Sequence, residues 1–143
     1  MLKDEIKHFL LSIIAGVIIG YFFSNYWSIP IALLTGFFID ADHLIDYFIY
    51  RGWKFNLKEF LSGKCFDYSG KVYVFFHAFE YILVLVVAGL IWPIFNWIFF
   101  TLALSLLFHL LFDTFSNKPK WPTYFLSFRI YHHFNHKDFD FKC

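Results

Sequence analysis

The sequence predicts an all-α, polytopic membrane protein: a four-transmembrane-helix bundle with a short interfacial helix and an amphipathic C-terminal segment. Three observations lead there. The 143 residues are 59% hydrophobic, 26% aromatic and only 16% charged, where soluble domains run at about 45–50% apolar and about 25% charged. Mean hydropathy is +0.57, and the apolar residues fall into long blocks instead of being spread along the chain. The basic residues collect between alternate blocks. The length suits one domain, so 1–143 reads as a single integral membrane domain.

Four blocks have the roughly 20 residues that a spanning helix needs. The first is Ile6–Phe23, IKHFLLSIIAGVIIGYFF. No small-residue cleavage site follows it and further spans do, so it reads as a retained span rather than a signal peptide. Its Gly16 and Gly20 have the G-x-x-x-G spacing that permits close helix packing, although that spacing is also common by chance. After the tight turn SNYWS comes the second block, Ile29–Tyr50. In the next gap, FNLKEFLSG reads as the interfacial helix: Asn56 caps it, Glu59 sits three residues on, and Gly63 ends it. The third block is Val72–Ile91, and little more than Trp92 and Pro93 separates it from the fourth, Ile94–Phe115. Trp27, Trp92 and Trp97 suit an interfacial aromatic belt. Residues 116–143 form the C-terminal interfacial segment.

The charge distribution supports the span count. Lys3 and Lys7 sit on the amino-terminal side of span one, Lys7 at its very edge. Arg51, Lys54, Lys58, Lys64 and Lys71 follow span two, and Lys118, Lys120, Arg129, Lys137 and Lys142 follow span four. With four spans all twelve basic residues land on one face, which the positive-inside rule makes cytoplasmic. The expectation is a multi-pass protein of the inner cell membrane with both termini in the cytoplasm. Cys65 and Cys143 then face a reducing compartment, and no disulfide is expected.

Against this apolar background the ionisable residues stand out. GFFIDADHLIDYF places Asp40, Asp42, His43 and Asp46 within seven residues of span two. His77 and Glu80 lie in span three, His109 and Asp113 in span four, and His8 at the start of span one. At 1.5 Å per residue, His43 and His109 lie roughly 10 Å, and His77 about 8 Å, from the cytoplasmic ends of their spans. His8, Asp46, Glu80 and Asp113 fall near the same layer. Asp40, Asp42, His43 and Asp46 occupy an arc of about 160° on an ideal helix. The i,i+3 pair His77/Glu80 and the i,i+4 pair His109/Asp113 each share a face.

A charged group at mid-membrane costs about 2.5–3.5 kcal/mol on insertion scales. Interhelical salt bridges would offset that cost only with buried cations, and the spans hold almost no Lys or Arg. The missing positive charge reads as bound metal. A mixed His/carboxylate set suits Zn, Mn or Fe, and His8, Asp40, Asp42, His43, His77, His109 and Asp113 are too many ligands for one closed tetrahedral site. They suit two divalent ions about 3.5–4 Å apart with bridging carboxylates. Such ions activate water for attack on an ester or phosphoester. Asp46 and Glu80 are the candidate general bases.

These motifs resemble those of the membrane-bound, metal-dependent hydrolases, a family with bacterial members regulated by the DNA-damage (LexA) response, and they are similar to motifs of zinc-dependent phospholipase C. The likeness runs from about Lys7 to Thr114 and rests on an amino-terminal His, Asp-x-Asp-His, a His-led motif and His-x-x-x-Asp. Where the family tends to have Pro before Asp-x-Asp-His, this chain has Ile39. Where many members have His-Arg and a second His, it has His77-Ala78 with Glu80 nearby. The resemblance implies a hydrolase. The depth of the candidate ligands implies a lipid or lipid-linked phosphoester substrate in the cytoplasmic leaflet.

Several other features were open to a functional reading. SFRIYHHFNHKDF brings Arg129, a candidate phosphate contact, with His132, His133 and His136, and also reads as a surface segment lying on the membrane. Ser105, His109 and Asp113 mimic a serine triad in a single row, a geometry that three residues on one helix rarely attain. A proton- or metal-coupled transporter would need polar groups through both leaflets, and ILVLVVAGL and IFFTLAL lack them. HHFNH raises a di-iron oxidase, but the buried set is richer in carboxylate than such enzymes use. The sequence has no Gly-rich phosphate loop, repeat or nucleic-acid motif.

Overall fold

A computed structural model describes residues 2–61, 69–117 and 121–139. Helix α1 (Leu2–Phe23) runs into a tight turn and returns as α2 (Ser28–Asp40) and α3 (Asp42–Arg51). A short α4 (Leu57–Leu61) follows, then α5 (Glu80–Ile91), a 3₁₀ turn at Pro93–Phe95, α6 (Asn96–Asn117) and a short α7 (Leu126–Tyr131). Among the described residues there is no strand. A lone antiparallel bridge pairs Lys71 with Asn135.

Helix α6 is the centre of the bundle and packs against α1, α2 and α5. The molecule is inside-out relative to a water-soluble domain. Leu10, Phe22, Phe37, Leu83, Leu90 and Ile94 are exposed, while His8, Ser12, Asp42, Asp46, His77, Ser105, His109, Asp113 and Arg129 are buried. Three helical stretches are long and apolar enough to cross a membrane: Ile6–Phe23, the α2–α3 run Ser28–Arg51, and Asn96–Ser116.

Two expected spans differ from single helices. Span two breaks at Ala41, where Ala41 N–H donates to Phe38 O (3.2 Å) and Leu44 N–H to Ala41 O (3.1 Å), the i→i+3 pattern of a tightened turn. The break falls between Asp40 and Asp42. Span three, expected over Val72–Ile91, is helical only from Glu80. The 12 residues of α5 reach about 18 Å, short of a bilayer core of about 30 Å. Residues 72–79 are irregular. Val72, Tyr73, Val74, Phe75 and Phe76 are residues of high strand and low helix preference.

α1 and α2 meet where the sequence offers small residues. A Cβ on Gly16 would lie 2.6 Å from Ile29 Cα, and Ser28 donates its hydroxyl to Gly16 O at 2.7 Å. Gly16→Val therefore forces the two helices apart. The expected result is a lower thermal midpoint in detergent, in line with the about 1–3 kcal/mol that overpacking costs. A midpoint equal to wild type would contradict the close approach.

The interfacial helix is capped as expected: Asn56 Oδ1 accepts from Lys58 N–H (3.0 Å) and Glu59 N–H (3.3 Å). Its expected end, Gly63, lies outside the described residues, as do Cys65 and Cys143. The C-terminal segment does more than lie on a surface. Tyr124, Arg129 and Phe139 are buried in the core, beside Val72, Val74 and Tyr47.

Candidate metal centre

The irregular stretch before α5 is held by three side chains from two distant elements, α3 and α7. Asp46 Oδ2, on α3, accepts from Tyr73 N–H and Val74 N–H, both at 3.1 Å. Asp42 Oδ2 accepts from Phe76 N–H at 2.8 Å. Arg129, on α7, donates from Nη1 to Val74 O at 2.9 Å and from Nη2 to His77 O at 2.8 Å. Buried non-helical backbone must find partners for its polar groups elsewhere in the protein, and these residues supply them. Burial lowers the Arg129 pKa from its ordinary value, and the nearby carboxylates of Asp42, Glu80 and Asp46 oppose that shift.

This bracing sets His77 at the middle of a polar hub. His77 Nδ1 lies 3.0 Å from Asp42 Oδ2. A proton on Nδ1 donated to that carboxylate leaves the Nε2 lone pair facing inward. His77 Nε2 then stands 3.3 Å from His109 Nε2, 3.5 Å from Asp113 Oδ2 and 3.6 Å from Asp40 Oδ1. His109 Nε2 is 3.3 Å from Asp113 Oδ2 and 3.3 Å from Asp40 Oδ1. Two more imidazoles flank this set. His8 Nε2 meets Asp113 Oδ1 at 3.1 Å, and its ring stacks on His109 at 3.9 Å. His43 Nε2 is 3.9 Å from Asp40 Oδ1.

The spacing fits a cation. A tetrahedral ion with bonds of 2.0–2.1 Å sets its ligand atoms about 3.3–3.4 Å apart. Five of the six edges joining His77, His109, Asp40 and Asp113 are 3.3–3.6 Å. Two triads, His8/His109/Asp113 and Asp40/His43/His77, each have ligand atoms close enough to hold an ion. Asp42 Oδ1, and the Nδ1 atoms of His8 and His109 on the ring edges away from the hub, are buried with no hydrogen-bond partner among the described residues; buried polar atoms in this state call for ordered water, and the case for an ion rests on the spacing of the Nε2 and carboxylate atoms. Arg129 brings one positive charge towards Asp42, Glu80 and Asp46. Buried His and Asp groups that could hold a metal ion are therefore present.

The expected site residues divide into two groups. His8, Asp40, His43, His77, His109 and Asp113 come together at the hub. Asp42, expected as a ligand, stands behind His77 as the carboxylate that orients it: two residues apart on a helix, Asp40 and Asp42 point about 160° away from each other. Asp46, expected as a base, is engaged with backbone N–H groups. Glu80, the other expected base, accepts from Leu126 N–H (3.0 Å) and from Ser127 N–H (2.9 Å) and Oγ–H (2.8 Å). With 72–79 not helical, Glu80 and His77 no longer share a helix face. Arg129, expected to meet phosphate, is fully buried against backbone carbonyls. His132 packs on Phe128 and lies 3.5 Å from Asp138. Ser105 donates its hydroxyl to Ala32 O. Sequence reasoning missed the bracing role of Asp46 and Arg129. The strand-like composition of VYVFF after Gly70 was the available signal that this stretch needed partners from elsewhere.

No family model, curated protein or solved structure matches this chain.

Proposed function

We propose that this chain is a membrane-embedded, metal-dependent hydrolase that cleaves a phosphoester on a lipid or lipid-linked substrate in the cytoplasmic leaflet. The observation that carries the reading is the convergence of four imidazole Nε2 atoms on Asp40 and Asp113. The chain crosses the inner membrane four times with both termini in the cytoplasm, and residues 72–91 make the third crossing as an irregular stretch followed by α5. His8, Asp40, His43, His77, His109 and Asp113 would hold two divalent ions, Zn, Mn or Fe; the two oxygens of Asp113 face different imidazoles, Oδ1 towards His8 and Oδ2 towards His77 and His109.

Ions in such a site act as Lewis acids and make water ionisable near neutral pH. The protein's own part is to hold the donors in place and admit substrate from one side. Asp42 fixes the His77 tautomer. Asp40, with a side chain 21% exposed against 9% for Asp113, is the hub carboxylate that a substrate and its attacking water reach first. Asp46 and Glu80, both engaged with backbone N–H groups, do not take the general-base role. The motif likeness to membrane-bound metal-dependent hydrolases supports the same reaction class.

The test is reconstitution in vesicles with a panel of phospholipids and polyprenyl phosphates, with Zn²⁺ or Mn²⁺ and with chelator, following released phosphate or headgroup. Metal-dependent turnover that His77→Ala abolishes is expected. Glu80→Gln should keep most of its turnover, whereas removal of a true general base typically costs about 10²–10⁴-fold. Turnover that persists in chelator, or ion flux without hydrolysis, would overturn the proposal and favour a transporter.

A further inference from the structure

α2 and α5 both pack on α6 but hardly on each other. The gap between them is a cavity of about 360 Å³ walled by Ile31, Leu34, Phe38, Leu85, Leu102 and Leu106. That volume lies within the about 300–1,000 Å³ of typical ligand pockets. Thr35 also lines it, with its hydroxyl turned onto Ile31 O at 2.7 Å. Ile39 and Phe76 form the end nearest the hub, and each immediately precedes a hub donor, Asp40 or His77. From Ile31 to Ile39 the slot runs about 12 Å along α2 at 1.5 Å per residue. Its rim residues Leu34 and Phe38 are exposed, on a surface whose apolar character suits bilayer contact.

We propose that this slot holds one acyl chain of a glycerophospholipid whose phosphate group reaches the hub. The inference rests on the hydrolase reading above and names the substrate's tail. An apolar slot continuous with a polar, cation-binding end matches a molecule that is hydrocarbon at one end and anionic at the other. The slot is short and opens sideways, so a two-chain lipid can seat one chain in it and leave the other in the bilayer. A polyprenyl chain is longer and carries methyl branches throughout, which a slot of this size does not accommodate.

The experiment uses the full chain in phosphatidylcholine/phosphatidylglycerol vesicles doped with phosphatidylglycerol carrying a photoactivatable acyl chain, with crosslinks mapped by mass spectrometry. Labelling is expected to concentrate on Leu85, Leu102 and Leu106 over the outward-facing Leu83 and Leu90. Leu102→Trp, and independently the rim variant Leu34→Trp, should remove the slot label while leaving the outward label and the metal content. In turnover assays the same variants should lower the ratio of long-chain to dihexanoyl phospholipid hydrolysis about tenfold, as several methylenes lose their apolar wall. Label spread evenly over lipid-facing positions, slot label that survives both tryptophans, or displacement of the label by a polyprenyl phosphate at equal concentration would overturn the proposal. Absence of any hydrolysis by the wild type would overturn the hydrolase reading alone, because the crosslinking pattern is read without turnover.

Discussion

Arg129→Met is expected to destabilise the protein severely and to disperse the metal centre with it. The guanidinium is fully buried and is the donor to both Val74 O and His77 O. Its removal leaves two buried carbonyls unsatisfied, at about 1–3 kcal/mol each. It also withdraws a positive charge that acts on Asp42, Glu80 and Asp46. Native stability is itself only about 5–15 kcal/mol. Arg129→Lys should fail to rescue, because a single ammonium cannot replace a planar fork with two divergent donors. Thermal unfolding in detergent, read alongside metal content, checks this. If Arg129→Met kept the wild-type midpoint and only raised KM, Arg129 would be a substrate contact and the bracing role would be wrong.

Asp42→Asn is expected to weaken metal binding about 10–100-fold, the usual cost of losing the carboxylate behind a ligating histidine. The asparagine is nearly isosteric and its carbonyl can still accept from Phe76 N–H, so the 72–79 stretch keeps its anchor. What is lost is the negative charge that holds the His77 proton on Nδ1 and keeps Nε2 turned inward. Asp113→Asn is a useful contrast: it removes an oxygen facing the hub directly, so the number of bound ions should fall as well as the affinity. Titration against a chelating indicator separates the two outcomes. Wild-type affinity in Asp42→Asn would contradict the outer role given to that carboxylate.

Much of this arrangement could be read from the chain. Block edges at Ile6–Phe23 and Ile94–Phe115 lie close to the observed α1 and α6, because ~20-residue apolar runs have few alternatives in length or type. The common depth of His8, His43, His109 and Asp113 was legible because rise per residue is fixed within a helix, whereas His77 reaches the same level from an irregular stretch. Direction around the axis was less so. Asp40 and Asp42 stand at opposite ends of an arc of about 160°, and local pattern does not say which end meets the hub. The third block was misread for a different reason. Mean hydropathy does not distinguish a helix from an irregular stretch whose polar backbone is satisfied from outside. The partners of that stretch, Asp46 and Arg129, are 27 and 55 residues away. Contacts that distant follow from how the C-terminal segment folds back, which local pattern does not encode. Glu80 is the same case, since its carboxylate is drawn to the start of α7.

The most direct test of the centre is its metal content. Protein purified without chelator and analysed by inductively coupled plasma mass spectrometry should carry two equivalents of a divalent transition metal. His8→Ala, which removes a flanking donor, should lower that to one, and His77→Ala or His109→Ala should lower it to near none. Metal-free wild-type protein that takes up no Zn²⁺, Mn²⁺ or Fe²⁺ on titration, or a metal content indifferent to His77→Ala and His109→Ala together, would contradict the account.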